Sequence, residues 1–184
     1  MSLNYLSNSE TAKNIINNLA GAASTEFIVN IKSSNDPDAG TFSYGVTSPS
    51  NESSIPYNPK SALRDAINGA EQMPALTLLH ELDHANGSLE LYRTSNDSNK
   101  TPRNVWEANS DRHDPASTYE LDNKEEERVI TGNETKTIKE LKQHEANVKR
   151  LNPSYKSKTG LNVRPSHWGN SFISKGPLTI EKQE

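Results

Sequence analysis

From Pro74 to Leu89 the chain places Ala75, Leu78, Leu82, Ala85 and Leu89 in steps of three and four, a spacing that lines apolar side chains along one face of an α-helix. At about 100° per residue, His80 and His84 fall almost opposite that stripe. A helix that is apolar on one face and carries two imidazoles on the other needs a wall on each side. The stripe must pack on a core, and the histidines must look across a cleft at another part of the chain. Pro74 suits the first turn of this helix, and Asn86-Gly87 is expected to end or bend it.

Hydrophobic residues make up only 31% of the 184, so a single domain with a thin core and long polar loops is expected over residues 25–184, behind an Asn- and Ser-rich segment, 1–24. Within that first segment Ser7-x-x-Glu10 reads as a capping box for a helix through Ala12, Ile15, Ile16 and Leu19, with Gly21 as its stop. Phe27, Val29 and Ile31 alternate, as do Phe42, Tyr44 and Val46, and the turn residues Asp36 to Gly40 between them predict a hairpin. Ile55-Pro56-Tyr57 suits a short edge strand. Asn58 and Pro59 then predict the start of a helix with Leu63, Ile67 and Ala70 on one face. Glu90 to Glu120 is polar, without periodicity and longer than an ordinary connection, which suits a lid or part of a cleft. Asp122 caps a further helix with Glu125 three residues on, and Ile138, Leu141, Val148 and Leu151 mark another before Pro153. The remainder reads as an irregular tail anchored by Arg164, Trp168 and Phe172. The expected class is α+β: a short, mostly antiparallel sheet packed on the histidine-bearing helix, followed by a helical C-terminal half.

Charge and composition exclude several functions. A net charge of -4 without any basic run argues against nucleic acid as partner. No apolar run approaches the roughly 18 residues of a membrane span, and the start has neither the basic nor the apolar region of a Sec signal. It would suit an uncleaved signal for contact-dependent bacterial secretion, or a fraying terminus equally. The absence of cysteine rules out disulfides, thiolate zinc sites and thiol nucleophiles, so any metal must be held by His and carboxylates.

His80-Glu81-Leu82-Asp83-His84 is an HExxH motif. Imidazoles one helical turn apart project side by side and can bind one Zn²⁺, while Glu81 reaches a water that the metal activates and acts as general base. A solvated helix face is the plainer alternative, but two histidines opposite an apolar stripe favour the metal. Zinc with one open position needs a third protein ligand. Glu90 would complete HExxHxxGxxE, yet that arrangement also needs a methionine beneath the metal, and Met1 and Met73 both lie upstream. Glu126 is the stronger candidate. It stands three and four residues before Val129 and Ile130 and shares their face, whereas Glu125 and Glu127 are displaced toward Arg128 or Thr131. A carboxylate turned inward is costly without a partner, which zinc would supply. The triplet's acidity also suits a helix N-terminus whatever its other role. His113, His144 and His167 have no mutual ligand spacing; Arg164, His167, Tyr119 and Tyr155 remain open as donors to an oxyanion.

Ile55-x-Tyr57-Asn58-Pro59, then Leu78-Leu79-His80-Glu81-Leu82-x-His84-Ala85, then Glu126-Glu127 followed by Gly132, and finally Arg164 together resemble the NleD-like zinc metallopeptidases. These are bacterial effectors delivered by type III secretion, with related domains in polymorphic toxins. The resemblance covers about residues 55–170, and the HELxHA core joined to the downstream acidic pair is its most specific part. It implies His80 and His84 as zinc ligands, Glu81 as catalytic base, and Glu126-Glu127 as the source of the third ligand. It also implies a zinc endopeptidase secreted into the host cell cytoplasm, where a monomer cleaves a host protein, a mitogen-activated protein kinase activation loop being one candidate. The sequence departs from that family at Asp83, where a bulkier apolar residue is common, and at His167-Trp168, where an aromatic hydroxyl tends to follow the arginine. Two other classes keep the same motif: a toxin hydrolase with a non-protein substrate, and a non-catalytic module with structural zinc, whose fourth ligand would be sought at His113 or His144.

Overall fold

The computed structural model describes residues 1–23, 26–45, 49–109 and 113–183, and its central element is helix α3, Pro74–Thr94. Every residue from Pro74 to Leu89 except Thr77 is buried, so the helix has walls all round. Its first turn is held by the tail: Met73 N donates to Gly160 O and Ala75 N to Pro177 O, which satisfies donors that a helix start leaves open. Asn86-Gly87 does not end it. Gly87 serves a close approach, since a Cβ there would lie 2.8 Å from Arg128 Nη2. The helix runs seven residues further because a small residue was needed on this face, not a stop.

Two helices, α1 (Ser2–Leu6) and α2 (Glu10–Ala22), precede strand β1 (Ile28–Ser33). Tyr5, Leu6, Ala12, Ile15 and Leu19 belong to the main core, where α2 packs on α3 and on the later helix α6 (Thr135–Leu151). Ser9, not Ser7, caps α2 by accepting from Ala12 N; Ser7 instead closes α1.

Strands β2 (Glu52–Tyr57), β3 (Ser61–Asp65) and β4 (Glu71–Gln72) follow, with β5 (Gly169–Ile173) near the chain's end. The class is α+β with mostly antiparallel pairing: β3 lies between β4 and β5, antiparallel to both. The expected hairpin does not form. β1 pairs parallel with β2, Ile28 opposite Glu52, and the Phe42 segment contributes one antiparallel bridge, Ser43 to Ser54; Val46 lies outside the described residues. Phe27, Phe42 and Tyr44 instead form an aromatic cluster with ring centroids 5.6–6.3 Å apart. The helix expected after Asn58 is also absent: Asn58 accepts from Lys60 N in a tight turn, and the chain enters β3 because β5 pairs with it from more than a hundred residues away.

Between α3 and α6 lie α4 (Pro102–Ala108), a short 3₁₀ turn at Tyr119–Leu121, α5 (Lys124–Glu127) and a wide π-turn, Arg128–Glu134. The polar stretch after Glu90 is thus partly helical, and residues 110–112 of it lie outside the described residues. Asn123, one residue past the expected Asp122, caps α5 by accepting from Glu126 N, while Asp122 makes the turn before it at φ 62°. The tail is not wholly irregular, since it forms β5; of its expected anchors Arg164 is buried and Trp168 is 45% exposed. Among the described residues no helix is long and apolar enough to cross a membrane.

Candidate metal centre

Helix α3 presents His80 and His84 on the face that meets α5 and the π-turn. Their Nε2 atoms are 3.1 Å apart, and Glu126 reaches across to both: Oε2 is 3.1 Å from His80 Nε2 and Oε1 is 3.3 Å from His84 Nε2. The structure therefore brings together the three residues singled out as ligands. Glu126 Oε2 is buried and accepts no hydrogen bond from any described residue.

The other nitrogen of each ring is held by a carboxylate. Glu134 Oε2 lies 3.0 Å from His80 Nδ1, and Glu125 Oε1 lies 3.0 Å from His84 Nδ1. A proton on each Nδ1 leaves the Nε2 lone pairs facing one another and the Glu126 carboxylate, an arrangement that repels itself unless a cation or a proton lies between. Burial opposes charge on His84, yet its hydrogen bonds with Glu125 and Glu126 push its pKa up to about 10. Burial likewise acts against an ionised Glu126, but the two imidazoles hold its carboxyl well below the usual range. The donor set, a carboxylate together with two imidazoles that give up their Nε2 protons when a metal binds, fits Zn²⁺.

Local structure explains how one short segment supplies so many carboxylates. On a regular helix Glu126 and Glu134 would be turned about 80° apart. The π-turn between them, with Gly132 at φ -90° and ψ -105°, alters that phase, so Glu126 serves His80 Nε2 and Glu134 serves Nδ1 of the same ring. Glu134 is fully buried and also accepts from Arg164 Nε and Nη2, each at 3.1 Å, and from Gln72 Nε2 at 2.7 Å. Burial raises its pKa, but the Arg164 charge and the His80 bond prevail and bring it down to about 2. Glu125 pairs with Arg128, which in turn meets the buried Asp83 at 3.3 Å, and Asn133 donates to Asp83 as well. Asp83 inside the motif thus ties α3 to the π-turn that follows Glu125.

A cleft of about 300 Å³ opens beside this centre, lined among others by Phe42, Glu81, Trp106, His113, Glu126 and His167. Glu81 Oε2 accepts from Phe42 N at 2.6 Å, and Oε1 lies 4.0 Å from His80 Nε2, so the carboxylate is tethered at the edge of the cleft next to the metal donors.

The remaining candidates separate. Glu90 is bound by Asn86 and is not among the cleft residues, because the unbroken α3 turns it away from His84. Glu127 accepts from Ser117 at the surface, and Tyr155 bonds to Glu145. His144 is on α6 and Tyr119 is largely exposed; neither lines the cleft. Arg164 meets both Glu134 and His80, its Nη2 lying 2.8 Å from His80 Nδ1. Sequence reasoning missed Glu134 and Asp122, the latter 2.5 Å from His167 Nδ1. Asp122 reads as a helix cap but stands outside α5 at φ 62°, and Glu134 lies beyond the π-turn, so periodicity places neither at the site.

A family model described as Peptidase_M91, effector protein, matches residues 1–166. No curated protein and no solved structure matches the chain.

Proposed function

The chain belongs to the Peptidase_M91 family of effector proteins, and on that footing we propose that it is a zinc-dependent endopeptidase delivered into a host cell, where it cleaves a host protein. The observation that carries this reading is the convergence of His80 Nε2, His84 Nε2 and the Glu126 carboxylate beside the tethered Glu81. His80, His84 and Glu126 would hold one Zn²⁺. Bound there, zinc supplies a Lewis acid that polarises a peptide carbonyl and makes water nucleophilic near neutral pH.

The chain's own residues do the rest. Glu81 takes a proton from the attacking water and passes it to the leaving amine; its bond from Phe42 N holds the receiving oxygen in place. Glu134 and Glu125 fix the tautomer and direction of the two imidazoles. Trp106 and Phe42, in edge contact at 5.5 Å, form an apolar flank that limits water. An extended substrate would run along Gly40 to Phe42, which line the cleft, and not along Ile55 to Tyr57, which do not line it. A host mitogen-activated protein kinase activation loop is the first substrate to try.

The test is Glu81→Gln, which keeps an oxygen for Phe42 N. It should retain stoichiometric zinc and wild-type melting while losing cleavage by several orders of magnitude, read as new protein termini in lysate of exposed cells. Equal turnover would end the peptidase reading. Retained zinc with no cleavage by the wild type would favour a non-protein substrate.

A further inference from the structure

His167 lines the same cleft as Glu81. Its Nδ1 is 2.5 Å from Asp122 Oδ2, and its Nε2 points to Glu126 Oε2 at 3.6 Å. Its ring lies nearly parallel to that of His80, at 17° and 5.9 Å between centroids. One donor atom from each of His80, Glu126 and His167 lies within 4.8 Å of the others. Each of the three imidazoles has a carboxylate at Nδ1 (Glu134, Glu125, Asp122) and Nε2 turned toward Glu126, and His80 Nδ1 also meets Arg164 Nη2 at 2.8 Å. That is how a protein presents imidazole to a metal, because the outer carboxylate fixes the tautomer that leaves Nε2 unprotonated. The buried Glu126 Oε2, which accepts no hydrogen bond from any described residue, is 3.1 Å from His80 Nε2 and 3.6 Å from His167 Nε2.

The three rings are not equivalent. His80 and His84 are buried on a long helix, whereas the His167 side chain is 40% exposed on the loop between Arg164 and β5. One backbone bond, His167 N to Glu120 O, and the Asp122 contact hold it. We propose that His167 is a fourth, releasable zinc donor: it closes the coordination sphere in the resting protein and gives up its position when a substrate's oxygen enters the cleft. This rests on the zinc reading of the site. It accounts for a histidine in the tail, and it makes the resting centre a closed four-donor site that opens on the cleft side alone.

Zinc K-edge X-ray absorption on the full chain counts the imidazoles bound to the metal. We expect three in the resting wild type, two in His167→Ala, and two in the wild type after adding a peptide hydroxamate, which supplies competing oxygens. Zinc affinity of His167→Ala, measured by chelator competition, should fall about tenfold or more, a change of roughly 1.4 kcal/mol per factor of ten. Asp122→Asn, which keeps the ring but loosens it, should give an intermediate loss. Two imidazoles in the resting wild type together with unchanged affinity in His167→Ala would overturn the proposal while leaving the three-ligand zinc site intact. Three imidazoles that persist under saturating hydroxamate would overturn the release and mark a closed, structural zinc. A wild type that binds no zinc would instead remove the reading on which the proposal rests.

Discussion

Replacing Glu134 by alanine should be among the most damaging single changes outside the metal ligands. The side chain is fully buried and takes two hydrogen bonds from Arg164, one from Gln72 and one from His80. Arg164 is itself 5% exposed, so its guanidinium cannot turn to water when the carboxylate is removed. Breaking a buried ion pair by removing one partner costs about 3–5 kcal/mol, because the remaining charge is left without compensation. Against a total stability of about 5–15 kcal/mol that is a large share. At roughly 2–4 °C per kcal/mol for a chain of this size, the melting temperature should fall by about 6–20 °C. The measurement is urea unfolding of the metal-free protein followed by circular dichroism, since bound zinc would add its own stabilisation. A cycle with Arg164→Met separates the pair from its surroundings: the double variant should be clearly more stable than the sum of the single losses predicts. Additive losses, or a Glu134→Ala protein within about 1 kcal/mol of wild type, would refute the argument.

The acidic residues near the histidines should rank by their place in the structure. Glu126→Ala should weaken zinc binding most. Glu125→Ala should weaken it by about 10–100-fold through His84, and Glu127→Ala and Glu90→Ala should leave it nearly unchanged in chelator competition. A larger effect at Glu90 than at Glu126 would remove the assigned ligand set. Glu140 accepts from Ser9 Oγ and from Thr11 N and Oγ1, clasping the start of α2 to α6. Burial would raise its pKa, but these bonds prevail and lower it. The sign follows from linkage: a carboxyl depressed in the folded state contributes fully above its unfolded pKa, about 4.3, and the contribution fades as pH falls below that value. Wild type should therefore be more stable than Glu140→Gln at pH 7, and the two should converge in acid, as read from melting temperatures. A gap that stays constant down to pH 3 would show that the clasp does not depend on ionisation.

What the sequence by itself determined is what helical periodicity determines. The stripe from Ala75 to Leu89 and the paired imidazoles opposite it follow from a repeat of 3.6 residues, so both were legible within a few positions of their neighbours; the same count singled out Glu126, although Val129 and Ile130 lie in the π-turn. The zero count of cysteine, read with the same motif, left His and carboxylate as the donor chemistry. Local signals failed wherever the deciding partner was distant. Residues 61–65 carry helix-like punctuation before them yet become a strand, because β5 supplies backbone partners across the sheet. The alternation in β1 identifies a strand but not its direction or mate, and the mate is parallel and lies beyond the Phe42 segment. Gly87 reads as a stop only until Arg128 is seen beside it. The environment of the metal site was likewise decided by tertiary structure: the π-turn changes the helical phase so that Glu134 reaches His80, and the tail brings Arg164 and His167 to a centre whose other members lie far earlier in the chain. Periodicity acts over single turns, whereas those contacts depend on how separate elements pack, and that is where the sequence stops being sufficient.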